Sequence, residues 1–86
     1  MEVINGYRYY NNEDVYNMLE RLEKAEPELR VSILNYVEET EIGIDRAVML
    51  NIVSEPLEYN VDYLDSLDSA VTEKFIYLME QFNLAY

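Results

Sequence analysis

The chain contains no histidine and no cysteine. Imidazole bases, thiolate nucleophiles and zinc sites of the Cys/His type are therefore excluded. What remains is carboxylate chemistry, and it is densest in the stretch SEPLEYNVDYLDSLDS. Glu55, Glu58, Asp62, Asp65 and Asp68 stand there without a Lys or Arg among them. Asp62, Asp65 and Asp68 recur at every third position, but the ligand spacing of a calcium loop is missing. With two glycines in the chain, there is no Gly-rich loop to cradle a phosphate. The expectation is a solvated acidic face, with no metal, no cofactor and no enzymatic activity.

Charge narrows the choice of partner. Eighteen Asp and Glu oppose six Lys and Arg, a net charge of −12, beyond the magnitude of roughly 2 to 8 that keeps a small domain soluble. Such a field repels phosphate backbones and anionic lipid, so neither nucleic acid nor a membrane is expected as a direct ligand. A basic protein surface is favoured. The N-terminal MEVINGYRYY lacks the basic and apolar regions of a leader, and no apolar run nears the roughly 20 residues of a membrane span. A cytoplasmic protein is the simplest expectation. The second unusual feature is nine tyrosines against two Phe and no Trp. Cross-strand packing accounts for any single Tyr, but a core this small cannot hide nine. Tyr combines a rigid apolar ring with a polar tip, which suits it to protein interfaces. Tyr7, Tyr9, Tyr59 and Tyr63 join the five carboxylates as the expected partner-binding set.

The elements that position these residues give an α+β fold in one domain spanning 1–86. Asn5-Gly6 is a type I′ turn dipeptide between Val3-Ile4 and Tyr7 to Tyr10, which predicts a short hairpin or a strand entered through a turn. Asn11 or Asn12 caps a first helix with Glu13 and Asp14 in its opening turn and Val15, Met18, Leu19 and Leu22 on one face. It ends near Ala25. Pro27 opens a second helix carrying Leu29, Ile33, Tyr36 and Val37, with a stop at Gly43. Asp45 caps RAVMLNIVS, read as a short buried helix although a central strand has the same apolar signature. In LEYNVDY the alternation of Leu57, Tyr59, Val61 and Tyr63 with Glu58, Asn60 and Asp62 predicts a half-buried strand over 57–63. A helical reading of the same stretch also puts its carboxylates together on one side. Ser66 or Ser69 then caps a last helix whose stripe is Leu67, Val71, Phe75, Leu78 and Phe82.

The second and third helices have the outline of a helix-turn-helix. Only Arg46 and Asn51 of the third could read bases, and the surrounding chain repels phosphate. The leading functional expectation is a binding protein that occupies a basic, nucleic-acid-binding surface of a partner, carboxylates standing in for phosphates. In profile, being small, Cys-free, acidic and Tyr-rich, the chain resembles phage-encoded inhibitors of bacterial defence nucleases, the anti-CRISPR and anti-restriction proteins. The resemblance implies a nucleic-acid mimic acting in the host cytoplasm. The alternative is a cytosolic adaptor or regulatory subunit that docks through an apolar, tyrosine-bearing surface.

Overall fold

In a computed structural model, which describes residues 1–40, 46–58 and 69–85, the chain is a small α+β domain. Strands β1 (Glu2–Ile4) and β2 (Tyr7–Tyr9) form an antiparallel hairpin, followed by helices α1 (Asn12–Lys24), α2 (Pro27–Glu39) and α3 (Arg46–Ser54). A 3-10 turn (Pro56–Glu58) and helix α4 (Ser69–Gln81) complete the described elements.

The hairpin turns as its dipeptide predicts. Asn5 and Gly6 both take positive φ, 53° and 83°, the combination a type I′ turn requires. Asn11 then caps α1 in a reciprocal box. Its side chain accepts from the Asp14 N–H at 2.8 Å, and the Asp14 carboxylate accepts from the Asn11 N–H at 2.9 Å. Glu13 and Asp14 in the first turn, with Arg21 and Lys24 in the last, complement the helix dipole at both ends.

The four described α-helices share one core. Val15, Met18, Leu19 and Leu22 of α1 are all buried, as their spacing predicts. They meet Ile33 and Val37 of α2, Met49, Ile52 and Val53 of α3, and Val71, Phe75, Leu78 and Met79 of α4. Leu29 and Tyr36 pack at the margin, and the Tyr36 ring meets Phe82 edge-on, with centroids 5.5 Å apart. RAVMLNIVS is a helix packed on α2.

Helix α4 closes on a motif its apolar stripe does not reveal. Asn83 adopts φ 57°, which lets Leu84 donate to the Met79 carbonyl at 2.8 Å and Asn83 donate to Glu80 at 3.3 Å. This is a Schellman closure with Asn where Gly usually stands. Arg21 then donates to the Leu84 carbonyl at 3.2 Å and ties this end to α1.

The expected strand over 57–63 begins differently. Leu57 and Glu58 lie in the 3-10 turn, which packs on α1 and α3, and 59–63 lies outside the described residues. So do Gly43, Asp45, Ser66 and Leu67. Ser69 is itself helical.

Candidate functional site

The structure divides the expected partner-binding residues between two places. Tyr7 and Tyr9 lie on β2, Glu55 immediately precedes the 3-10 turn and Glu58 ends it. Tyr59, Tyr63, Asp62, Asp65 and Asp68 lie outside the described residues.

On the hairpin, Glu2 pairs with Tyr9, Val3 with Arg8 and Ile4 with Tyr7. Directly paired residues share a face, and successive residues alternate. One face therefore carries Glu2, Ile4, Tyr7 and Tyr9, and the other Val3 and Arg8. On the second face, Arg8 reaches α4. There Arg8 lies 3.8 Å from a Glu80 carboxylate oxygen, and the Tyr10 hydroxyl donates to the same oxygen at 3.3 Å. Partial burial and the neighbouring Glu80 charge push the Tyr10 hydroxyl above its ordinary pKa, against the opposing influence of Arg8. The first face is open to solvent, with Ile4 49%, Tyr7 71% and Tyr9 54% exposed, and Val3 on the second face is exposed as well.

None of the six described tyrosines is buried: Tyr7, Tyr9, Tyr16 and Tyr77 are exposed, and Tyr10 and Tyr36 are half-buried. At these positions tyrosine serves surface and margin rather than core. Tyr16 stands above its ordinary pKa because its hydroxyl is hydrogen-bonded to the Glu20 carboxylate.

At the other place, Glu55 and Glu58 line an open recess of about 200 Å³ together with Glu23, Arg30, Ser54 and Leu57. Both glutamates are exposed. The turn positions them through backbone bonds, Glu55 donating to Asn51 at 2.9 Å and Glu58 to Glu55 at 3.1 Å. Pro56, which has no N–H to lose, is buried beneath them. Arg30 is the only cation lining the recess among the described residues, and its Nη2 is directed at the end of α1. It donates to the Leu22 and Glu23 carbonyls at 2.9 and 2.7 Å, supplying two of the partners a helix C-terminus lacks. Its approach to the Glu23 carboxylate is long, 4.0 Å. Glu55 and Glu58 form no ion pair among the described residues.

Neither Tyr7 nor Tyr9 lines that recess. Sequence reasoning missed Ile4 and Glu2 as companions of the tyrosines, although a two-residue turn fixes their pairing. It also missed Glu23 and Arg30. Arg30 had a signal, a cation in the first turn of a helix that starts three residues after the preceding one ends. The helix-turn-helix reading loses its one arginine, because Arg46 is half-buried and donates to the Thr40 carbonyl at 3.1 Å. Among the described residues, no group of three acidic side chains is gathered to hold a metal ion. Nor is any helix there long and apolar enough to cross a membrane.

No protein-family model, curated protein or solved structure matches the chain.

Proposed function

We propose that this chain is a protein-binding inhibitor that occupies a basic surface of its partner, of the kind that otherwise holds nucleic acid. One observation carries the reading. Glu55 and Glu58 are exposed beside an arginine committed to backbone carbonyls, and they make no ion pair among the described residues. Carboxylates that pair with nothing among the described residues remain available to another protein's Lys and Arg. Asp62, Asp65 and Asp68 follow in the same acidic run and extend the set. The action is steric and electrostatic rather than catalytic: long-range attraction speeds encounter, and apolar contacts hold the docked pair. It is the mode that phage-type anti-defence proteins would use in a host cytoplasm.

The exposed Ile4, Tyr7 and Tyr9 favour a second reading, an adaptor that binds through this apolar face. Salt separates the two. The tagged protein is used to capture its partner from the native host, and association with the purified partner is timed at two salt concentrations. Replacing Glu58, Asp62 and Asp65 by Gln or Asn should leave Tm within a few degrees and slow association at low salt. The captured partner should also lose its hold on nucleic acid when the parent chain is added. Equal association rates for parent and triple variant at both salt concentrations would favour the adaptor.

A further inference from the structure

The sheet consists of β1 and β2 alone among the described residues, so no described strand pairs with the outer edge of β1. In an antiparallel ladder, bonded and non-bonded pairs alternate, and a two-residue turn closes on a bonded pair. Ile4–Tyr7 and Glu2–Tyr9 are thus the bonded pairs. Val3, opposite Arg8, turns its N–H and C=O away from β2. Those groups have no hydrogen-bond partner among the described residues. Edges are commonly blunted by shortness, charge, Pro or a bulge; β1 is three residues long and carries Glu2, but it has no Lys, Pro or bulge, and the backbone groups of Val3 stay open.

The flanking face points to the occupant. It carries Ile4, Tyr7 and Tyr9 with one ionic group, Glu2, while the hairpin's cation Arg8 lies on the opposite face against Glu80. A second copy would set −12 against −12. A cationic strand meets that field with the opposite sign. We infer that the outer edge of β1 receives an extended, Lys- or Arg-bearing segment of a partner protein. Its backbone bonds to Val3, and alternate side chains lie beside Glu2 and Ile4 on the face that Tyr7 and Tyr9 extend. This rests on the reading of the chain as a binder of basic proteins, and it adds where the partner docks and in what conformation.

The probe is a synthetic octapeptide of alternating Lys and Val, titrated into the isotope-labelled protein and followed by amide NMR. A block-ordered isomer and an alternating Glu/Val peptide serve as comparisons. The alternating cationic peptide should shift Val3, Ile4, Tyr7 and Tyr9 saturably and slow Val3 amide exchange at least tenfold. The block isomer should bind at least tenfold more weakly, and the anionic peptide more weakly still. Val3→Pro removes the outward N–H without touching a ladder bond and should weaken binding about tenfold with the Ile4 and Tyr7 signals in place. Val3→Thr, which keeps that N–H, should bind like the parent. If both cationic peptides bind equally and shift Glu55 and Glu58 instead, strand addition is wrong while the basic-partner reading survives. If neither cationic peptide binds at millimolar concentration, both fall. Val3 protection that rises with protein concentration alone would make a second copy the occupant and overturn the inference.

Discussion

The hairpin and the helical body treat apolar side chains in opposite ways. Phe75, Ile33, Met49 and Ile52 are wholly buried, while all six residues of the two strands are exposed. A two-stranded ribbon of this length is marginal on its own. The helices therefore hold the stability, and the hairpin is positioned by a few polar ties. Those ties are Arg8 and Tyr10 to Glu80, the Asn11–Asp14 box, and the Met1 amine 2.7 Å from an Asp14 carboxylate oxygen. An apolar surface kept outside the core can be altered without unfolding the protein, and its supports can be loosened while the core stays closed.

Four measurements would break or sharpen this contrast. The largest effect belongs to the body. Phe75→Ala should cost about 3 to 5 kcal/mol in a denaturant melt, because truncating a buried ring loses its transfer energy and leaves a cavity. A loss below about 1 kcal/mol would mean that the body does not depend on that wall. At the joint, Asn11→Ala should cost about 1 kcal/mol by removing the cap of α1. Hairpin amides should exchange faster in that variant, with core amides slowed or quickened only in step with global stability. Unchanged hairpin exchange would show that the box does not hold the ribbon.

The pH profile comes next. Hydrogen bonds from the Met1 amine first, and from the Asn11 N–H second, hold the Asp14 carboxyl below its ordinary range. A lowered folded value contributes stability that is present above the unfolded pKa, roughly 4, and lost as pH falls through the folded value. The parent's Tm should therefore drop below about pH 4, and Asp14→Asn should flatten that limb. At the other end Tyr10, whose pKa is raised by burial and Glu80, contributes stability that is present below about pH 10 and lost as pH rises through its folded value. Tyr10→Phe should reduce the loss of Tm on the alkaline limb, and an unchanged limb would count against the role of Tyr10.

The smallest effect belongs to the open face. Tyr7→Ser and Tyr9→Ser should each change stability by no more than about 0.5 kcal/mol, as substitutions at exposed sites usually do. A loss above about 1 kcal/mol at either site would show that the face supports the fold.

Much of the body was legible in the chain, because helix spacing is a local property. Val15, Met18, Leu19 and Leu22 recur at one face whatever they pack against, and Pro27 and Asn11 mark helix starts by the chemistry of a single residue. The candidate sites were legible only in part. Tyr7 and Tyr9 stood out by residue type. Which face of the ribbon would be tied to the body depended on Glu80, some seventy positions away, and no local pattern encodes that. Arg30 in the recess was hidden for a similar reason, since its role is defined by the end of a neighbouring helix.

The sequence by itself determined the hairpin turn, through the positive φ that Asn5 and Gly6 tolerate, and the faces of the helices, through their apolar spacing. It also determined the excess of negative charge. Tertiary structure alone decided the fate of Leu57 and Glu58. Their alternation reads as a strand, but a strand needs a neighbour to bond, and the described sheet ends with β1 and β2. Packed on α1 and α3, with Pro56 buried and Glu58 bonded back to Glu55, these residues close a 3-10 turn instead. A backbone takes the partners within its reach, and which partners those are is settled only when the helices have packed.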